Sequence, residues 1–299
     1  RPTQKIAYLS TKTGFKVIGK AARAFNKKGN PDHQGTRLQS RKNALFDLSL
    51  SEEQQIIRDS IKRFALQELR PNAYQADKQA SLNDNLFNQV LELGLNYLSI
   101  PEQQGGTAIE YTPITSALIA EDMAWGDLSM AYTLLSPVAV ANAISRWGNQ
   151  SQQQSYLPSF VGDKPPKAAI AVQEPQALFD PMKLNTQAVN SGSSYKISGE
   201  KTLIPFAGEA ELYLIAAEYK GKPRLFIVEA GIPGLSWANA PAMGLKAAQT
   251  GHLKLDKVIL PKEALLGDED FDYQAFIDLG KLHWCAMAVG CCQAVLDYV

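Results

Sequence analysis

Residues 170–181 have the sequence IAVQEPQALFDP, and this stretch marks where a helical region gives way to a strand-rich one. Its first residues form an apolar run of the length and kind that make a buried strand. The run ends abruptly at Gln173-Glu174-Pro175, and a lone Asp180 follows. Proline cannot donate to a strand ladder, so a strand end with a surface turn is the plainest interpretation. The sequence on either side favours a more specific one.

The residues before this stretch predict helices with no intervening strands. In LSLSEEQQIIRDSIKRFALQEL, residues 48–69, Ser51 is the expected N-cap and Gln54 stands where a capping box needs it. Apolar residues then recur at helical spacing, and Pro71 is expected to end the helix. The same spacing predicts further helices near residues 83–93, 113–124, 128–147 and 151–160.

The residues after position 167 predict short strands, because β-branched and aromatic runs alternate with Gly, Pro and Asn. The runs are AAIAV, SYKISG, LYLIAAEY, RLFIVEA and HLKLDKVIL, and helical spacing returns at Tyr273. The predicted fold class is α+β and multidomain: an all-α N-terminal bundle, a small antiparallel β-barrel middle domain and a truncated C-terminal helical bundle. The expected boundaries are a basic arm at 1–46, the helical domain at 47–165, the β domain at 166–271 and the first C-terminal helix at 272–299.

The net charge of zero is unevenly distributed along the chain. Residues 1–44 hold eleven Lys or Arg against one acid, a net charge of +10, and the rest of the chain carries the compensating −10. Within this arm, an apolar stripe at helical spacing lies among lysines, at Phe15, Ile18, Ala22 and Phe25. Such a stripe predicts peripheral membrane contact, docking on the chain's own acidic body, or a transit peptide. The acidic remainder argues against a nucleic-acid partner.

The cysteines and the apolar runs exclude other classes of protein. Cys285, Cys291 and Cys292 have no partner at metal-ligand spacing and lie too close together for a disulfide framework. We therefore expect buried small hydrophobes in a reducing compartment, and no metal site. No window approaches 18 consecutive apolar residues, so no membrane-spanning helix is predicted.

Six regions between Leu48 and Val299 follow one another in an order that is typical of one family. They are SEEQQIIRDSIKRFALQELRP, LGLNYLSIPEQQGG, AEDMAWGDLSMAY with WGNQSQQQSYLPSFVGD, EPQALFD, MGLKAAQTGHLKLDKVILPKEALLG and DLGKLHWCAMAVGCCQAVLDY. In these regions the chain resembles the acyl-CoA dehydrogenase family. The resemblance implies FAD as cofactor, a fatty acyl-CoA thioester as substrate, and α,β-dehydrogenation to a trans-2-enoyl-CoA, as in β-oxidation.

The resemblance also gives individual residues expected roles. The loop at Val172, Gln173 and Glu174 is expected to meet the flavin ring, largely through main-chain groups whose fixed dipoles suit developing charge. The other expected cofactor-binding residues are Phe179, Leu203, Ile204 and Pro205, and the expected substrate-binding residues are Asp180, Asp278 and Lys281.

The sequence departs from the family at positions that touch this chemistry. Gln173 replaces the usual hydroxyl residue, Leu178-Phe179 replaces a Gly-Ser pair, and Pro205 replaces a threonine and has no N–H to donate. Lys281 keeps the charge of the usual arginine but loses its bidentate fork.

The catalytic base is not assigned to any residue. In the family it is a glutamate, usually in the part of the C-terminal bundle that follows position 299. A minority of members carry it on the helix present here, at the position of Gly280.

Two functions therefore stay open at the level of sequence. One is an FAD-dependent acyl-CoA dehydrogenase; the other is a non-catalytic acyl-CoA-binding or interaction homologue with a degenerate flavin site. For the enzyme, the resemblance implies electron-transfer flavoprotein or a similar acceptor, and a homodimer or homotetramer. The expected location is the bacterial cytoplasm or the mitochondrial matrix, with membrane association through residues 1–44 as an alternative.

Overall fold

The computed structural model of the protein describes residues 49–107, 112–162, 164–240, 242–267 and 271–299. The contacts divide the chain into Arg1–Leu50 and a compact unit, Ser51–Val299. The basic arm, its apolar stripe and its membrane contact lie outside the described residues, so they stay predictions.

The first helix begins where the sequence predicts but continues past the proline that was expected to end it. Helix α1, Glu52–Phe64, has the predicted capping box at Ser51 and Gln54. A π-helical turn, Ala65–Leu69, then leads into α2, Arg70–Gln79, which contains Pro71 in its first turn. The expectation that Pro71 ends the helix is therefore wrong. The wider turn has no need of an N–H at Pro71, and the helix ends instead at a left-handed Ala80.

The remaining helices of the N-terminal region lie where the spacing predicts them, except that the short helix Leu95–Leu98 was not predicted and the helix expected at 128–147 is divided at Leu135. They are α3, Asp84–Glu92; α4, Leu95–Leu98; α5, Pro113–Gly126; α6, Leu128–Leu134; α7, Ser136–Trp147; and α8, Gln150–Phe160. Their apolar faces, together with part of the last helix, enclose one buried cluster that includes Phe64, Leu69, Met123 and Met130. Burial of side chains of this size is the main stabilisation of such a bundle.

The β region is one curled seven-stranded sheet. The strands are β1, Ala168–Ala171; β2, Gln187–Ser191; β3, Ser194–Ile204; β4, Leu212–Tyr219; β5, Lys222–Glu229; β6, Leu235–Asn239; and β7, Gly251–Pro261. The hydrogen-bonded order is β1-β4-β2-β3-β7-β6, with β5 on the other side of β4. The α+β class with its strand-rich middle region is confirmed, although the sheet is a half-barrel.

Two details of the sheet differ from the prediction. The strands were expected to be antiparallel, but β1 runs parallel to β4, since the chain returns across the sheet before it enters β4. The sequence also missed β2 and β6, whose residues are mostly exposed and so lack an apolar pattern.

The last helix, α9, Tyr273–Tyr298, lies along α5. The two backbones approach closely at Gly290, where an added Cβ would stand 1.9 Å from the carbonyl oxygen of Glu121. Cys285 and Cys292 are exposed on the opposite side of the helix and Cys291 is partly buried, so the prediction of three buried thiols is wrong. A helical period of 3.6 residues turns these positions away from α5.

Helix α9 is long and apolar enough to cross a membrane by length and composition alone, and α6 with α7 pass the same test as a bent pair. This contrasts with the absence of a spanning helix predicted from uninterrupted apolar runs. Core helices of soluble proteins also pass, and α9 is hydrogen-bonded to α5 through His283 to Ser116 and Trp125 to Asp297.

Candidate active site

A cavity of about 420 Å³ lies where α5, α6, α7 and α9 meet the C-terminal ends of β1 and β3. Its strand side, called the rim below, consists of Val172, Gln173, Thr202, Leu203 and Pro205. Its helical side, called the helical wall below, is formed by side chains that are mostly apolar. They are Ala120, Tyr132, Leu135, Val138, Ala139, Ala143, Trp147, Phe276, Ile277, Trp284 and Met287, with the polar Ser116, Asn142 and His283 among them. A cavity of this size and character is typical of a small-molecule site.

The rim is fixed by backbone hydrogen bonds and by an unusual backbone conformation. The Thr202 N–H donates to the Gln173 carbonyl at 2.9 Å, which ties the end of β3 to the end of β1. Leu203 has φ 55° at a register shift between β3 and β7, and its side chain is half exposed. Left-handed backbone is rare for a leucine and is found preferentially at functional sites.

A buried ion pair lies directly behind the rim. Lys201 Nζ stands 2.8 Å from Glu174 Oε1, with the two side chains 0% and 2% exposed. The Glu174 carboxylate also accepts the N–H groups of Asn185 and Thr186, and Lys201 donates to the Val172 carbonyl. The pair therefore joins the ends of β1 and β3 to the segment that enters β2.

The burial of this pair shifts both of its pKa values. Burial lowers the pKa of Lys201 to about 8, although the hydrogen bond and charge of Glu174 act in the opposite direction. For Glu174, burial acts to raise the pKa, but the hydrogen bonds from Lys201, Thr186 and Asn185 outweigh it and lower the pKa. The pair is ionised at neutral pH, because each charge is held by the other.

The predicted cofactor-binding residues separate into two groups. Val172, Gln173, Leu203 and Pro205 line the cavity together with Phe179. Glu174 lies behind the rim, where it can support the loop without touching a ligand in the cavity. The Ile204 side chain is 1% exposed and belongs to the core of the β region. The cofactor-binding roles of these residues stay predictions.

Of the three predicted substrate-binding residues, Lys281 lines the cavity, and Asp180 and Asp278 do not. Lys281 lines the cavity, and its Nζ is 3.1 Å from Asp278 Oδ1 one helical turn earlier. Asp278 is exposed and does not line the cavity. Asp180 accepts the Met182 N–H in a turn. Direct contact with a ligand is thus supported for Lys281 more than for either aspartate.

Three residues of the site were missed or undervalued from sequence. Lys201 stands at an inward position of β3, and a lysine at an inward strand position was a signal that an acidic partner must lie nearby. Tyr132 donates its hydroxyl to the Leu203 carbonyl at 2.9 Å and contacts the Trp284 ring, which links the helical wall to the rim. His283, which the sequence did not single out as a site residue, is hydrogen-bonded to Ser116 at 2.8 Å.

The titratable groups that line the cavity are few within the described part of the chain. They are Tyr132, Lys281 and His283, and no carboxylate is among them. Burial lowers the pKa of His283 to about 4, and burial raises the pKa of Tyr132 far above its usual value. Both side chains are therefore uncharged at neutral pH.

Comparison with known proteins identifies the family to which this fold and cavity belong. The acyl-CoA dehydrogenase N-terminal domain matches residues 51–164, and the acyl-CoA dehydrogenase middle domain matches residues 169–258. The chain therefore belongs to the acyl-CoA dehydrogenase family, a class of FAD-dependent oxidoreductases, as the sequence predicted. FAD is the cofactor of this class, in agreement with the prediction.

Relatives of known sequence or structure are similar over about two thirds of their own length. A probable acyl-CoA dehydrogenase of Bacillus subtilis is 29% identical, over 84% of this chain and 68% of the relative. The structure of butyryl-CoA dehydrogenase from Megasphaera elsdenii is 27% identical with a TM-score of 0.74, over 84% of this chain and 69% of that one. A glutaryl-coenzyme A dehydrogenase in complex with glutaryl-CoA is 26% identical with a TM-score of 0.75, over 84% and 66%. These relatives differ in acyl group, so the family alone does not specify the substrate.

Proposed function

We propose that the protein is an FAD-dependent dehydrogenase that introduces a double bond between the α and β carbons of a fatty acyl-CoA thioester. The observation that carries this proposal is the position of the cavity, which joins an apolar helical wall to a rim of strand ends in a chain of this family. An apolar wall suits an acyl chain, and a strand rim with polar groups suits a heterocyclic ring.

The residues of the rim fit a flavin. The Thr202 hydroxyl is the clearest sign, because this residue is 8% exposed and lines the cavity, yet its hydroxyl has no hydrogen-bond partner among the described residues. The oxygen itself is not sealed off without a partner, so a ligand in the cavity that Thr202 lines can reach it. Phe179 and Pro205 stand in the cavity lining and leave its volume open. We therefore propose that Val172, Gln173, Thr202, Leu203 and Pro205 hold the ring.

FAD, when bound, would supply the acceptor for the hydride that leaves the β carbon. The chain's own residues exclude water and orient the substrate. Trp147 and Phe276, with ring centroids 5.7 Å apart, close one side of the helical wall. Excluding water strengthens the hydrogen bonds that stabilise charge on a thioester oxygen during α-proton removal. The base that takes this proton is not assigned, because no described lining residue is an acid.

Reconstitution and reduction test this proposal directly. The purified full-length protein should bind FAD with a perturbed flavin absorption spectrum, and butyryl-CoA or octanoyl-CoA added without oxygen should bleach that spectrum. The Thr202→Val variant should bind FAD more weakly, by about tenfold for one lost hydrogen bond. Ser198→Ala, on the same strand and away from the cavity, is the matched control. If the full-length protein binds no FAD even when FAD is in large excess, the proposal that it is a dehydrogenase is wrong.

A non-catalytic acyl-CoA-binding homologue is the second candidate. The observations that favour it are the lack of an acid among the described lining residues and the pairing of the Leu203 carbonyl with Tyr132, which leaves one main-chain acceptor fewer for a flavin. Tight acyl-CoA binding without any bleaching of bound FAD would support this candidate and exclude the dehydrogenase.

The proposed partners and location follow from the proposed enzyme. We propose electron-transfer flavoprotein or a similar protein as the electron acceptor, assembly as a homodimer or homotetramer, and action in the bacterial cytoplasm or the mitochondrial matrix. Peripheral membrane contact through residues 1–44 is a separate proposal, motivated by their charge of +10. Deletion of the arm should reduce binding to anionic vesicles, and unchanged binding would contradict it.

A further inference from the structure

The helical wall of the cavity is apolar except at a few positions, and two of these have hydrogen-bonding capacity that the described chain does not use. Ser136 is not one of them, because its hydroxyl donates to the Ala168 carbonyl. The two are Asn142 on α7 and His283 on α9, both of which line the cavity.

Asn142 carries an amide with no protein partner. The residue is 5% exposed, and its side chain makes no hydrogen bond to any other part of the chain that the structure describes. The amide atoms of Asn142 are not completely enclosed by the protein. Because the residue lines the cavity, a ligand in the cavity can contact the amide. A buried amide offers two donors and one acceptor, and leaving them unpaired is unfavourable. The wall around Asn142, with Val138, Ala139 and Ala143, cannot satisfy it.

His283 has a tautomer that the surrounding hydrogen bonds determine. Ser116 Oγ stands 2.9 Å from the Pro113 carbonyl and 2.8 Å from His283 Nε2. The hydroxyl has one proton, and a carbonyl can only accept, so Ser116 donates to Pro113 and receives the Nε2–H of the ring. His283 Nδ1 is then an acceptor with no partner among the described residues. The wall thus offers a neutral acceptor as well as an amide.

We propose that the acyl group of the substrate carries a neutral hydrogen-bonding substituent, a hydroxyl or a carbonyl, that Asn142 and His283 recognise on the helical wall. The inference rests on the proposed function, because it concerns the acyl-CoA that the same cavity holds. The substituent belongs on the γ carbon or beyond, since the α and β carbons must each give up a hydrogen. Asn142 and His283 act as specificity-determining residues.

The charges at the cavity favour a neutral substituent over a carboxylate. Among the described lining residues Lys281 carries the only formal positive charge at neutral pH, and its ammonium group already pairs with Asp278. A carboxylate buried against the helical wall would lack a cation, which is far more costly than burying a hydrogen-bonded hydroxyl. A hydroxyl has both the proton that His283 Nδ1 can accept and the lone pairs to which the Asn142 amide can donate.

Binding of matched acyl-CoA pairs to the full-length protein tests the proposal. Each pair compares a hydroxyacyl-CoA with the hydrocarbon that has a methyl group in place of the hydroxyl: 4-hydroxybutyryl with pentanoyl, 5-hydroxypentanoyl with hexanoyl, and 6-hydroxyhexanoyl with heptanoyl. Calorimetry should give at least about tenfold tighter binding for the hydroxyl member of one pair. Asn142→Leu, which keeps the side-chain size, should abolish this preference and preserve or improve hydrocarbon binding.

The control is Asn88→Leu, an exposed asparagine on α3 that does not line the cavity. Asn142→Ser is a second variant in case the leucine prevents folding, and His283→Phe should also reduce the preference. If the unsubstituted acyl-CoA binds as tightly as the hydroxyacyl-CoA, or more tightly, in all three pairs, the inference is wrong. The proposed dehydrogenase function is not affected by that result. If no acyl-CoA binds at all, the proposed function fails first, and the inference fails with it.

Discussion

Behind the rim of the cavity the buried carboxylate of Glu174 accepts three hydrogen bonds from the protein, whereas on the helical wall the amide of Asn142 has none within the described residues. Both groups are at least nine-tenths buried. The charge pair behind the rim is therefore satisfied by the fold itself and can hold the strand ends rigid, while the wall is incomplete and suited to a ligand that brings its own polar group. Buried polar groups are satisfied either by the fold or by what binds to it.

The largest expected effect comes from breaking the ion pair behind the rim. Lys201→Met leaves the Glu174 carboxylate buried without its cation, and we expect a loss of about 3–5 kcal/mol in the free energy of unfolding. Urea denaturation measures it, and the double variant Lys201→Met with Glu174→Gln should recover part of the loss. The exposed Lys281→Met is the matched control and should leave stability unchanged. An equal effect of the two lysine variants would mean that the rim is not held by a buried charge pair.

A smaller effect is expected from the pH dependence of the helical wall. The folded-state pKa of His283 is lowered from 6.5 to about 4, so between these values the unfolded chain binds a proton that the folded chain does not. Stability therefore falls as pH decreases from 6.5 towards 4, by on the order of 3 kcal/mol from this residue alone. His283→Phe should flatten the unfolding free energy in that window, as measured by urea denaturation at a series of pH values. The exposed His252→Phe is the control. An unchanged pH profile in the His283 variant would show that its imidazole is hydrated in the folded state.

The smallest effect is expected where the two regions meet. Tyr132→Phe removes the hydroxyl that the Leu203 carbonyl accepts, and we expect a loss of about 1 kcal/mol in stability. The freed carbonyl should also alter the absorption spectrum of bound FAD, which a purely structural contact would leave as it is. Tyr156→Phe, whose hydroxyl is partly exposed near Glu229, is the control. If wild type and Tyr132→Phe give identical flavin spectra, the hydrogen bond between Tyr132 and the Leu203 carbonyl does not influence the bound flavin.

The order of elements could be predicted well because it depends on local spacing. Apolar residues at helical intervals predicted α3 and α8 to within a residue or two, and the capping box that begins α1 at Ser51 was visible in four letters. The π-helical turn could not be predicted from the sequence, because no residue near Pro71 indicates whether the preceding helical turn can widen. Strands β2 and β6 were missed for a related reason: their side chains are mostly exposed, and their pairing depends on strands that only the tertiary structure brings beside them.

The candidate site was predicted in its position and not in its chemistry. The stretch at 170–181 and the one at 203–205 both border the cavity, as the resemblance implied. The partner of Glu174 lies 27 residues away in sequence, and the acceptor of the Tyr132 hydroxyl lies 71 residues away. Contacts of this separation leave no periodic trace along the chain.

The amino-acid sequence alone determined which elements form, their order and the family, because these depend on spacings within a few turns and on motifs in register. The tertiary structure alone decided that Lys201 neutralises Glu174, that Ser116 sets the tautomer of His283, and that the amide of Asn142 lines a cavity without a partner. Whether a buried polar group is satisfied depends on which distant residues surround it, and only the folded chain brings those residues together.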